Sequence, residues 1–302
     1  MPEQITPKSH KYLEELCLAP DRFAYIKDFL SSRGIETVES KLGDAINLIC
    51  NFSRREEPRT EYLKFFAAHY DTVPGSQGAN DNLASVAQLL YLAERLKTER
   101  YQGNIAFAFF DKEELMGKRR ITDTGSYRLG KVLQVKNINT ALFFVFDVCG
   151  YGDTVIVSTQ TEQMLSQHKP CEKIPRSRAR VVHNIQLLKT FLYQFLDNQG
   201  MPYLSMPTPG SDDLSLCING IPSVLISMLP LDEALRAAVS LGSLSSSPKR
   251  SEFESPATWQ RVNTSADTLE TVSAYTMAQM QDMVYALSKT TIPFKYVRDR
   301  HG

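Results

Sequence analysis

Apolar positions along the chain follow two periods, and the places where one gives way to the other divide it into elements. From residue 9 to residue 33, Leu13, Leu16, Phe23, Ile26 and Leu30 fall at helical spacing on either side of Ala19-Pro20, which predicts two short helices. The β-rich segments Glu36 to Leu42 and Ala45 to Phe52, parted by Gly43-Asp44, predict a hairpin at a sheet edge. After a charged turn, Ser53 to Thr60, come three runs that are apolar almost throughout: Tyr62 to His69, Asn104 to Phe110 and Ala141 to Phe146. Unbroken apolarity over so few residues marks strands covered on both faces. Asp153 to Thr159 and Pro222 to Met228 predict two more strands.

Between them the period lengthens. Leu83 to Lys97 carries Leu83, Val86, Ala87, Leu90 and Ala93 on one face, and Arg178 to Leu196 carries Val182, Ile185, Leu188, Leu192 and Phe195. Asp232 to Ser240 predicts a short helix. Val272 to Lys289 predicts the last one, with Met277, Met280, Val284 and Leu287 at core spacing, so its methionines read as packing rather than a cofactor site. Leu241 to Pro256 is rich in Ser, Pro and charge, and the stretch 241–259 reads as a mobile loop. Strands alternating with helices, without repeat or linker, predict an α/β protein. The expected architecture is a single three-layer α/β/α domain over residues 1–302, with a mostly parallel mixed central sheet and the helices of 1–33 packed on it.

Composition narrows the class. Of the 302 residues 42% are hydrophobic and 23% charged, the balance of a globular protein with a sizeable core. Lys+Arg and Asp+Glu are both 34, so the net charge is zero and neither a nucleic acid nor an anionic membrane is an expected partner. The opening residues lack the apolar core of a signal peptide, and no run approaches the ~20 apolar residues of a membrane span, so a cytoplasmic location is expected. Five cysteines without a CxxC spacing point to buried thiols, not to disulfides or a thiolate zinc site.

The chemistry sits where apolar runs stop. Tyr62 to His69 ends in His69-Tyr70-Asp71 and leads through a Gly/Pro/Ser-rich loop to Asn80-Asp81-Asn82; Asn104 to Phe110 leads to Glu113-Glu114; Ala141 to Phe146 leads to Asp147. In an open α/β sheet, ligands bind beyond the carboxyl ends of the strands. His69 is placed to bind a metal through one ring nitrogen, with Asp71 accepting the proton of the other. Clustered buried carboxylates repel one another unless a cation neutralises them. One His with several carboxylates suits zinc, and two zinc ions can share a bridging carboxylate. Neighbouring glutamates on an extended chain point opposite ways, so one could bind metal while the other faces water or substrate.

The segments HYDTVPGSQGANDNLASV, FFDKEELMG, FVFDVCG, PGSDDLSL and NTSADTLETV, in this order, resemble the co-catalytic zinc exopeptidases. That family groups bacterial leucyl-type aminopeptidases, aminopeptidase Y, glutamate carboxypeptidase and glutaminyl cyclase. The resemblance spans about Tyr62 to Leu287 and implies the fold of that type, two zinc ions per chain and a peptide or small amide substrate. By it His69 and Asp147 would hold one metal, Asp81 would bridge across a peptide bond to Asn82 that is often cis, and Glu114 would bind the second metal. Glu113 would be the general base, Asp71 would orient His69, and Asp212 would support the site from behind.

Three features depart from the family pattern. Asn263 stands where the last ligand is a histidine, and an amide oxygen is a weaker zinc donor than imidazole. Glutaminyl cyclases keep the metal affected, so the cyclase reaction is not the expected one. Asp213 stands where many relatives have histidine. Lys118-Arg119-Arg120 follows Glu114 as an extra basic run, read as a solvated face or as a holder of a substrate carboxylate. The expected activity is a zinc-dependent aminopeptidase; the alternatives are a degenerate relative that binds peptides or proteins, and an amidohydrolase acting on a non-peptide metabolite.

Overall fold

The computed structural model describes residues 6–52, 62–117, 119–136, 138, 140–166, 176–244 and 255–293. Its centre is an eight-stranded sheet in the order β1-β2-β4-β3-β5-β8-β6-β7. The strands are β1 (Thr37–Leu42), β2 (Ala45–Asn51), β3 (Leu63–His69), β4 (Ile105–Phe110), β5 (Ala141–Phe146), β6 (Thr154–Ser158), β7 (Tyr203–Met206) and β8 (Ser223–Leu229). The four middle strands β4, β3, β5 and β8 run parallel. β1 and β2 form the expected antiparallel hairpin at one edge, and β6 joins β8 antiparallel before β7 closes the other edge. The sheet is mixed and mostly parallel.

Alternation along the buried strands builds a different core on each face. Phe66, Phe107, Phe109, Phe144 and Phe146 pack against α1 (Lys8–Leu18), α3 (Ala84–Thr98), α6 (Arg176–Gln199) and α10 (Ala274–Lys289). Phe65, Phe110 and Phe143 point the other way, towards Leu129 and Leu133 of α4 (Gly125–Val135) and Leu216 of α7 (Asp212–Ile218). α2 (Arg22–Ser32) packs with the first group; α8 (Leu231–Leu244) and α9 (Ala257–Arg261) bring Ala234, Ala237 and Trp259 into a third cluster. α5 (Gln160–Ser166) lies beside α6, where Leu165 joins Val181 and Ile185. Helices therefore cover both faces of the sheet.

One polar residue inside β3 has a structural reason. Lys64 is buried, and its Nζ donates to the carbonyls of Leu287, Ser288 and Thr290 at distances of 2.6–3.1 Å. A cation thus satisfies the last carbonyls of α10 and opposes the negative end of its dipole.

Most long patterns were legible, and the short ones, together with the eleven-residue α4, were not. α4, α7, β7, α5 and α9 are absent from the expectations above: β7 has four residues, α9 five, and α5 and α7 seven each. The loop expected over 241–259 is helical at both ends, where α8 runs to Leu244 and α9 starts at Ala257 with Trp259 in the core, and residues 245–254 lie outside the described residues. The charged turn at 53–60, Lys118 and Cys171 lie outside them too. Cys50, Cys149 and Cys217 are buried free thiols and Cys17 is half-buried. No helix among the described residues is long and apolar enough to cross a membrane.

Candidate metal centre

Parallel pairing sets the level at which the acids emerge. His69 lies level with Phe110 on β4, and Ala67 is level with Val145 on β5. The ends of β3, β4 and β5 therefore meet at one sheet edge, where His69, the turn carrying Glu113-Glu114, and Asp147 come together. The Nε2 of His69 is 3.2 Å from Asp81 Oδ1 and 3.5 Å from Asp147 Oδ1. His69, Asp81 and Asp147 form one group with donor atoms within 4.8 Å of each other, and His69, Glu113 and Glu114 form a second.

Asp71 does more than face the imidazole. The Nδ1 of His69 lies 3.1 Å from the backbone carbonyl of Asp71 and 3.5 Å from its Oδ1. The two carboxylate oxygens accept from Glu113 N at 3.0 Å and Glu114 N at 3.2 Å. This corrects the expectation of oppositely pointing glutamates. With both amides gathered on one carboxylate, and with Lys112 in the left-handed region at φ 61°, the chain turns instead of extending, and both side chains approach His69.

The loop from 70 to 83 is fixed from three sides. Asp267 accepts from Asn80 N at 2.8 Å and Asp81 N at 3.0 Å. Asn80 Oδ1 accepts from Gly150 N, and Asn82 Nδ2 donates to the carbonyl of Phe146, which ties the loop to the end of β5. Arg22 of α2 donates to the Gln77 carbonyl and to the Thr72 hydroxyl. The Asp81–Asn82 peptide bond is cis. Asp267 and Gln77, whose Oε1 accepts from Leu269 N, were given no role by the sequence, although both lie in segments quoted for the resemblance. They act through backbone N–H groups, which leave no residue-type signal.

Burial dominates the electrostatics. It pushes the carboxyls of Asp81 to about 6, Glu114 to about 8 and Asp212 to about 7, and lifts Glu113 well above the usual carboxylate range. Neighbouring carboxylates add to each shift, while His69 opposes it. For Asp71 burial is outweighed by His69 and by the two amides it accepts, which hold its carboxyl low. Burial lowers the pKa of His69, but Asp147, Asp71 and Asp81 together raise it well above its ordinary value.

The donor set fits a divalent cation. His69 Nε2, Glu114 Oε1 and Asp147 Oδ1 are buried and have no hydrogen-bond partner among the described residues, although each lies in a cluster of polar groups. Such atoms are expensive to bury without a partner, and a cation is the partner that several carboxylates can share. Asn263 is exposed, with φ 61°, and lines a cleft together with Asp81, Glu113 and Asp147. Asp212 is buried with neither carboxyl oxygen hydrogen-bonded among the described residues. Of the basic run, Arg119 is half-buried and donates to the Glu114 carbonyl at 3.3 Å, whereas Arg120 is exposed.

Residues 47–288 match the model of peptidase family M28. No curated protein matches the chain in sequence. Among solved structures it is similar to BSAP, a zinc aminopeptidase from Bacillus subtilis, with a TM-score of 0.54 and 22% identity over 80% of this chain and 49% of that one. The chain thus spans about half the length of the Bacillus enzyme. It is also similar to the LapA aminopeptidase of Legionella pneumophila, with a TM-score of 0.64 and 14% identity over 94% and 71% of the two chains. Glutaminyl cyclase of Porphyromonas gingivalis gives a TM-score of 0.59 and 18% identity over 94% of this chain and 98% of that one.

Proposed function

Since the chain belongs to peptidase family M28, we propose that it is a zinc-dependent aminopeptidase that hydrolyses the first peptide or amide bond of its substrate. The observation that carries this reading is that Asp81 and Asp147 on one side and Glu114 on the other converge on His69, and that His69, Asp147 and Glu114 present buried donor atoms with no hydrogen-bond partner among the described residues. In this reading His69, Asp81 and Asp147 would hold one zinc ion, and Glu114 with Asp81 and Asn263 would hold a second. Bound there, zinc acts as a Lewis acid and lowers the pKa of water towards ~7.

The protein's own groups do the rest. Glu113 lines the cleft beside Asp81 and Asp147, and burial has raised its proton affinity. A carboxylate so tuned takes the proton of the attacking water and delivers it to the leaving amine. Asp71 is a positioning residue: it holds the amides of Glu113 and Glu114, and its own carbonyl fixes the ring of His69.

The test is Glu113→Ala in zinc-loaded protein, assayed on aminoacyl amides and peptides. We expect turnover to fall ~10²–10⁴-fold with the zinc content unchanged. Wild-type turnover in the variant would remove Glu113 as the base. Ammonia release from an N-terminal glutaminyl peptide without shortening would replace hydrolysis by cyclisation. A wild-type protein that turns over no peptide or small amide at saturating zinc would be a peptide-binding relative, the reading that the exposed Asn263 favours.

A further inference from the structure

The cleft beside the candidate centre is small, and most of it is already spoken for. Its volume is about 80 Å³, and Asp81, Glu113 and Asp147 take one side of it. Val148, Leu225, Trp259 and Val262 form an apolar wall with Thr208 and Ser227 among them, and Pro209, Gly210 and Asn263 complete the lining. A cavity of ~150 Å³ lined by apolar groups admits a benzene molecule. The present cleft is partly open to solvent, offers roughly half that space and shares it with three carboxylates.

The two hydroxyls in this wall are already engaged. The Ser227 hydroxyl donates to the Val148 carbonyl at 3.2 Å, and the Thr208 hydroxyl is paired with Ser158 Oγ at 2.7 Å. A side chain entering against Val148, Leu225 and Trp259 meets apolar surface and engaged hydroxyls.

Val148 is the residue that shapes the space. Its φ is 55°, in the left-handed region, where a β-branched residue is a true outlier. Met228 N at 3.1 Å and the Ser227 hydroxyl both bind its carbonyl, so the conformation is held by β8. Glycine would adopt it freely. Strain kept at a cleft wall is a ground for assigning function to the side chain that causes it. Val148 and Trp259 belong to one packed cluster, so the wall is backed by core and does not yield easily.

We infer that Val148, supported by Trp259, limits this cleft to a small side chain, so that the substrates are peptides or amides whose first residue is the size of alanine. The inference rests on the aminopeptidase reading and names its substrate class. It is tested with the zinc-loaded full chain and its Val148→Gly variant, using alanyl, valyl and phenylalanyl amides for turnover, and free L-alanine and L-phenylalanine for binding by calorimetry. Pocket discrimination on this scale is worth ~10–200-fold. We expect kcat/KM to favour alanyl over phenylalanyl by at least ~10-fold, and Val148→Gly to reduce that ratio by a similar factor. A purely structural role would lower all three rates together and leave the ratio unchanged, which overturns the inference. Equal binding of the two amino acids overturns it as well, whether or not the amides are cut. Selective alanine binding without cleavage of any amide upholds the size limit and rejects the aminopeptidase reading. Neither binding nor cleavage rejects both.

Discussion

A single residue shows how burial and titration trade against each other in this molecule. Asp213 is buried and accepts the Thr161 hydroxyl at 2.6 Å, with burial pushing its carboxyl up to about 7. In the unfolded chain the same group titrates near ~4. Between these two values the folded state keeps a proton that the unfolded state has released, so stability falls as pH rises through the window, by ~1.4 kcal/mol per pH unit at most. Asp213→Asn keeps an acceptor for Thr161 and removes the titration. Thermal melts of apo protein should therefore show the variant more stable than wild type at pH 8, with the gap closing near pH 4. A gap of the same size at both pH values would assign the difference to packing instead. At this scale the positions of His69, Glu114 and Asp147 at one sheet edge were legible because each follows an apolar run whose strand end places it, whereas Asp81 was read from its place before the next helix. The orientation of Glu113 was not, because it depends on Asp71 gathering two amides, a contact between different loops.

Among the elements, the segment from Tyr70 to Leu83 carries the most consequence per residue. It is not held by its own hydrogen bonds alone but by Asp267, Gly150 and the end of β5. Asp267→Ala strands the buried N–H groups of Asn80 and Asp81, each at a cost of ~1–3 kcal/mol, and frees the backbone that aims Asp81. Residues that orient metal ligands from behind are worth ~10–100-fold in affinity. Chelator competition should find zinc held that much more weakly by Asp267→Ala; wild-type affinity would show that Asp81 is placed without it. The long apolar strands and the helices with sustained 3.6-residue spacing were readable with their ends displaced by a few residues at most, and the edge hairpin and the ends of β5 at Ala141 and Phe146 were read as they stand. α4 escaped because Gly125 and Gly130 break its pattern; both face close neighbours, Gly125 meeting Asn47 and Gly130 meeting Asn219, so packing selects glycine where helix propensity would not.

For the whole molecule, a net charge of zero conceals a strongly uneven distribution. Asp71, Asp81, Glu113, Glu114, Asp147 and Asp212 crowd around one imidazole at the carboxyl edge of the sheet, and burial raises the proton affinity of four of them. Folding gathers these groups, so whatever neutralises them stabilises the folded chain by mass action, about 2.7 kcal/mol at a free ligand concentration one hundred times Kd. For a chain of this size that corresponds to a rise in Tm of roughly 4 °C. Chelation should lower the melting temperature by about this amount and zinc should restore it, whereas calcium, which prefers more oxygen donors than this histidine-bearing set supplies, should restore less. Asn263→His sharpens the test, since imidazole is the stronger zinc donor. If Asn263 is the weak point, the variant retains more zinc per chain than wild type after the same chelator challenge and melts higher. Equal zinc content in the two proteins would mean that position 263 takes no part in holding the metal, and the site would then rest on His69, Asp81, Asp147 and the paired glutamates.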